Sequence, residues 1–389
     1  MNYALMLASR YRDYLQVRMC AAVAIVLAVA TLLVLTGSSE TRAADPALSP
    51  DSTLPPVKCV TEFRVREQDA IWLIGTRHLD CNVSNFSPSV HRFEFEKGLW
   101  VASTLEEFYA TDTEVVIDPI SEKKVGRYTT FWVHGNRIDA NQAASDGLTF
   151  YFELAGRTET TPPIRHVIWT WPSTQIKGPI RDVRSKAARS DVEAAYLGMF
   201  MGGMNPGVQL RVIGYSYGGR IVTGAMHMLG NGTWMGLTLP EGKRPNARVA
   251  LWVPGEHCHW LLPGHAHGNA IPAADAWLSL YNRCDEVLWR YPKLDPCDES
   301  QALGFAGLCN AASLPADYSE RWNEWSVNHL IGAEHNMRLY WGSHEVISRT
   351  RSHLFAPLEK QALASQTKAK TNVKTVSAAK LSTTQALAP

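Results

Sequence analysis

Apolar residues fall along this chain in two alternating patterns. Short runs are continuously apolar: Ala70–Arg77, Thr129–Gly135, Arg165–Pro172, Leu210–Ile213, Ala247–Pro254 and Trp277–Asn282. Such runs suit strands buried on both faces. Between them, Asp139–Leu154 and Arg181–Met201 carry apolar residues at helical spacing, as does the stretch ending at Leu229. Val90–Phe95 and Thr113–Asp118 are weaker strand candidates. A last strand is expected within 322–330, followed by one helix from Met337 to about Leu354. Strands that alternate with helices predict the α/β class: a mostly parallel central sheet with helices on both faces.

The ends differ from this core. Arg10, Arg12 and Arg18 precede the uncharged apolar run 19–36. That run is just long enough to span a bilayer, and its basic flank holds residues 1–18 in the cytoplasm. It reads as an uncleaved anchor or a cleaved signal; either way the remainder is exported, membrane-anchored or secreted. Residues 37–56 are rich in Ser, Pro and Ala and read as a linker. Residues 357–389 carry scattered lysines and few bulky side chains, the composition of a disordered basic tail. One domain is expected over 57–356.

Composition changes little in this picture. The chain has 389 residues, 46% of them hydrophobic, which is globular. Its net charge of +1 gives no electrostatic footprint for nucleic acid. Among the 13 tryptophans, Trp132, Trp169 and Trp171 sit in strand-like runs and are expected in the core. Six of the 7 cysteines lie beyond the apolar segment: Cys59, Cys81, Cys258, Cys284, Cys297 and Cys309. An even number on the exported side suits disulfides. Cys297 with Cys309 is the pairing nearest in sequence, and Cys258 with Cys284 is a second expectation. The segment 254–276 also holds His257, His259, His265 and His267. No known ligand spacing matches it, so no metal is assigned. The segment is expected instead as a cap loop over the carboxyl ends of the strands.

One corner carries chemistry. Leu210–Ile213 runs directly into Gly214-Tyr215-Ser216-Tyr217-Gly218, and a helix follows without a break. The glycines allow a sharp turn and close backbone approach. This stretch resembles the nucleophile elbow of the α/β-hydrolase superfamily, in which G-x-S-x-G ends a strand and opens a helix. The resemblance extends over most of the core, and loosely before Thr129. It implies Ser216 as nucleophile, with the backbone N–H groups of Tyr217 and Asn136 as an oxyanion hole; Asn136 follows the strand that ends in His134-Gly135. His134 itself reads as structural.

The same resemblance implies an acid and then a histidine downstream, each in a loop after a later strand. Asp285 is the best-placed acid, with Glu286, Asp275, Asp295 and Asp298 as competitors. His335 is the best-placed base, ahead of His329 and His344. The implied activity is hydrolysis of an ester, or less readily an amide, on a small-molecule or lipid-like acyl substrate. No cofactor is implied. The alternative is a non-catalytic envelope protein that keeps the fold as a binding module, with Asp285 and His335 out of reach of Ser216.

Overall fold

The computed structural model describes residues 65–158, 160–294 and 300–355. The apolar run 19–36, the linker, the basic tail, Cys59 and Cys297 lie outside the described residues. Among the described residues no helix is long and apolar enough to cross a membrane.

The chain builds a nine-stranded sheet. Its strands are β1 (Ala70–Gly75), β2 (Ser89–Glu94), β3 (Leu99–Ser103), β6 (Tyr128–Val133), β7 (Ile164–Thr170), β8 (Gln209–Tyr215), β9 (Asn246–Trp252), β10 (Ala276–Tyr281) and β11 (Trp322–Ser326). β4 (Val115–Ile117) and β5 (Lys124–Gly126) pair only with each other. Across the large sheet the order is β11-β10-β9-β8-β6-β7-β1-β2-β3. Every neighbouring pair from β11 to β1 is parallel; β1–β2 and β2–β3 are antiparallel.

The order reverses at β6, because the chain steps from β6 to β7 on one side and then returns to β8 on the other. Right-handed crossovers in opposite directions put their helices on opposite faces. The helix α1 (Ala140–Tyr151) therefore covers one face, and α2 (Pro179–Gly202) and α3 (Tyr217–Leu229) cover the other. Crevices in open parallel sheets form at such a reversal, off the carboxyl ends of the strands. Here those ends are Val133 and Tyr215, paired strands with Val133 opposite Gly214.

The core follows from strand alternation. Trp132 and Phe131 point to opposite faces. Trp132 stacks on Phe150 of α1 at 4.1 Å, whereas Phe131 meets Phe200 of α2 at 5.9 Å. Trp132 and Trp169 on their strands, and Trp171 just past the end of β7, are fully buried, as expected for the core.

Two elements differ from the pattern reading. The expected helix from Met337 is two, α4 (Met337–Gly342) and α5 (His344–Phe355), broken at Ser343. Ser343 is extended, and its carbonyl and hydroxyl accept from the N–H groups of Ile347 and Val346. It thus caps a second helix rather than continuing the first. The apolar Thr113–Asp118 run forms no core strand; Val115 and Ile117 stay exposed in the small β4–β5 pair.

Of the seven histidines buried among the described residues, four are the most strongly perturbed. Desolvation pushes the imidazoles of His134, His166 and His267 down to about 3 and that of His353 to about 4. In the unfolded chain each binds a proton near pH 6.5. Between those values the folded state binds fewer protons, so stability present above pH 6.5 is lost as pH falls. The buried Glu256, whose carboxyl is pushed up to about 8 by burial, gives one proton back on unfolding. Urea midpoints should therefore drop from pH 7 to pH 4.5, with a net uptake of up to about three protons. A midpoint constant over that range would show that these imidazoles are not held neutral.

Candidate active site

The turn between β8 and α3 is set by glycine. Ser216 has φ 52° and ψ −123°, a conformation that costs a residue with a side chain roughly 1–3 kcal/mol. The surrounding backbone holds it there. A Cβ on Gly218 would lie 2.0 Å from the Val133 carbonyl oxygen, and one on Gly214 would lie 2.5 Å from the Gly218 oxygen. A Cβ on Gly219 would meet Pro254 at 2.6 Å. The Ser216 N–H donates to the Trp252 carbonyl, and its own carbonyl accepts from Gly219 and Gly255. Although Ser216 stands at the N-cap of α3, its side chain makes no capping bond. The hydroxyl is turned elsewhere.

It is turned to a histidine. Ser216 Oγ lies 3.0 Å from His335 Nε2, and His335 Nδ1 lies 2.6 Å from Asp285 Oδ2. A carboxylate only accepts, so Nδ1 carries the ring proton and Nε2 accepts from the serine hydroxyl. The fully buried Asp285 uses both oxygens. Oδ2 faces the imidazole, while Oδ1 accepts from the N–H groups of Val287 and Leu288. It is both the cap of a turn and the partner of His335. The Tyr215 ring stacks on His335 at 5.3 Å and holds the imidazole from the side.

The competing residues are elsewhere. Glu286, His329 and His344 are exposed, and Asp275 sits at the opposite end of the sheet, just before β10. Asp295 and Asp298 lie outside the described residues.

The loop after β6 borders Ser216: a Cβ on Gly135 would stand 3.0 Å from Ser216 Cβ. His134 is buried and packs on Trp171, where its Nε2 accepts from the Trp171 N–H and its Nδ1 donates to the Gly135 carbonyl. Asn136 is anchored by Asp182 in the first turn of α2. That buried carboxylate accepts from Asn136 Nδ2 at 3.1 Å and from Arg137 Nε at 3.0 Å. Its other oxygen accepts from Ile176 N–H at 3.1 Å. Asp182 has no motif around it, and only its place in a helix's first turn marks it in the sequence. Asn136, Ser216, Tyr217 and His335 all line one cavity of about 620 Å³.

The cap expected over 254–276 reaches this cavity only at Gly255. The remainder of that segment packs beside α3. There Thr223 donates to Glu256 at 2.6 Å, and the buried His267 ring lies 3.0 Å from the same hydroxyl. Burial pushes the Glu256 carboxyl up to about 8. Among the described residues no group of three or more His, Cys, Asp or Glu could hold a metal ion. The walls come instead from 137–146, the start of α2, 287–294 and 334–338. The helical spacing of 139–154 and 181–201 marks helices but not which of their side chains face a cavity, and 287–294 and 334–336 give no periodic signal, so the sequence did not reveal these walls.

The cysteine pairings also differ from expectation. Cys309 bonds to Cys258, 51 residues away, and not to Cys297; Cys284 and Cys81 are exposed and have no disulfide partner among the described residues. Backbone bonds from Cys258 to Gln301 and from Cys309 to Cys258 bring the two together, a tertiary contact that sequence neighbourhood does not report.

No protein-family model and no curated protein matches this chain. Among solved structures it is similar to an inhibited esterase B from Lactobacillus rhamnosis. The identity is 13% and the TM-score 0.30, with 63% of this chain and 80% of that one covered. A likeness so slight lends nothing to the site, which stands on its own geometry.

The glycine contacts give a direct test. Gly218→Ala must push its methyl into the β6 backbone and should destabilise the protein by about 3 kcal/mol or more. Gly126→Ala, where the added methyl meets nothing within 4 Å, should stay within about 1 kcal/mol of the parent. Chemical denaturation of both variants compares them, and equal stabilities would mean the turn is not clamped.

Proposed function

We propose that the chain is a serine hydrolase of the α/β-hydrolase kind that cleaves ester bonds through an acyl-enzyme. The observation that carries this reading is the unbroken hydrogen-bonded series Asp285–His335–Ser216, at 2.6 and 3.0 Å, on a strained turn at a sheet reversal. The 3.0 Å between Ser216 Oγ and His335 Nε2 supports this reading over a non-catalytic module, which a separation well beyond hydrogen-bond reach would have favoured.

In this mechanism His335 Nε2 takes the hydroxyl proton as Ser216 Oγ attacks the ester carbonyl carbon. The N–H groups of Tyr217 and Asn136 receive the negative charge on the carbonyl oxygen, helped by the N-terminal end of α3. The C–O bond to the alcohol breaks, and His335 returns the proton to that oxygen. Water then attacks the acyl-serine ester with His335 again as base. The free acid leaves, and the proton returns to Ser216. Asp285 keeps Nδ1 protonated and offsets the charge on the imidazolium. Asp182 positions the Asn136 loop and touches no substrate. No step requires a cofactor.

The protein is further proposed to act outside the cytoplasm, anchored or released by processing at the 19–36 run. The Cys258–Cys309 bond supports an oxidising compartment.

A fluorophosphonate should label the wild-type chain at Ser216 and leave Ser216→Ala unlabelled. Ester hydrolysis should fall by about 10⁴-fold or more in Ser216→Ala and in His335→Ala. Folded wild-type protein that takes no label sinks the reading.

A further inference from the structure

The cavity around Ser216 has two unlike walls. One joins the start of α2 to the 287–294 segment and is built by Val183, Leu288, Tyr291 and Leu294. It is tied to the turn, since Tyr217 Oη donates to the Val183 carbonyl at 3.2 Å, and Arg184 Nε donates to the Leu294 carbonyl at 3.3 Å. Arg290 belongs to this segment, but its guanidinium is turned to Glu286 and the Trp289 ring. The apolar surface continues outward, where Ile180, Val287 and Trp289 are exposed at 52%, 45% and 54%.

The other wall runs from Ile138, Gln142 and Asp146 to Met337 and Arg338, so apolar side chains there alternate with polar and charged ones. Asp146 lines the cavity while 95% buried, since only 5% of it is exposed, and Arg338 approaches its Oδ1 at 3.7 Å. Asp146 Oδ2 has no hydrogen-bond partner among the described residues. A buried carboxylate oxygen left in this state calls for a donor. Oδ2 is sealed from solvent and the Gln142 side chain stands beside the carboxyl, so a ligand in the cavity meets Asp146 at Oδ1, next to Arg338. Arg338 beside it opposes a cationic ligand and leaves a neutral hydroxyl as the fitting donor.

The reaction geometry assigns the walls, on the premise of the hydrolase reading above. The departing alcohol must sit where His335 Nε2 can protonate it, and the chain beyond His335 leads to Arg338 and Asp146. The acyl group extends the other way, past Tyr217. We propose that the acyl group lies against Val183, Leu288, Tyr291 and Leu294 while the alcohol hydrogen-bonds to Asp146 beside Arg338, so that the substrate is an ester of an apolar carboxylic acid with a hydroxyl-bearing alcohol.

Four esters test this: acetyl and hexanoyl esters, each of glycerol and of 1-propanol. Wild-type kcat/KM should rise by up to about fourfold per acyl methylene. It should favour glycerol over propanol by about tenfold. Val183→Trp and Leu294→Trp should each lower the hexanoyl-to-acetyl ratio at least tenfold and keep the glycerol-to-propanol ratio. Asp146→Ala should do the reverse. Fluorophosphonate labelling of every variant reports that the fold and the Ser216 turn survive. Labelled variants whose acyl ratio stays flat in both tryptophan substitutions, or whose alcohol ratio survives Asp146→Ala, overturn the assignment of the walls alone. A wild-type chain without label overturns the hydrolase reading and this assignment with it.

Discussion

The contact on which the rest depends is between two backbones: Gly218 beneath the Val133 carbonyl, with no room for a methyl group between them. It draws the first turn of α3 against the end of β6. This forces Ser216 into positive φ and lifts its side chain clear of the helix it precedes. Without that approach the serine would relax into an ordinary cap, and the hydroxyl would bond to its own helix. The strain is tolerated because β6, β8 and β9 lie side by side in the most buried part of the sheet, and residues from all three converge on the turn.

Asp285 shows how the second half of the site is held. A single carboxylate satisfies two backbone N–H groups with one oxygen and the imidazole with the other. The turn that follows β10 and the orientation of His335 are therefore coupled. Tyr215, next to the serine in sequence, stacks on that same ring. The imidazole is bounded by its acid, by an aromatic face and by the hydroxyl it faces, although its own loop bears few buried residues.

The parts of this arrangement visible in the sequence are those with a local cause. Continuous apolar runs located the inner strands, since a strand buried on both faces leaves no polar alternation to misread. The glycine-pinched corner was legible because its backbone geometry needs those glycines. Asp285 was ranked ahead of its neighbours by distance past a strand, and His335 by its place after the last strand and a glycine, as the hydrolase resemblance implies; the structure brings those two to Ser216. What was not legible is set by tertiary contact. Asp182 reaches the β6 loop from a helix far along the chain. The histidine-rich segment looked like a roof and is instead packed against α3. The edge strand β3 carries a short apolar run, Leu99–Ala102, yet leaves Leu99 and Val101 exposed, and it was not read as a strand. The break at Ser343 is a hydroxyl competing with helix continuation, which an apolar period does not register.

The bond between Cys258 and Cys309 closes a loop that contains β10, Asp285 and the whole 287–294 segment. A protease cut anywhere inside that loop would separate no fragment: the two pieces would stay covalently joined and come apart on a gel only after reduction. The acid and one flank of the cavity thus sit on a covalently closed circuit whose continuity does not rely on every peptide bond within it.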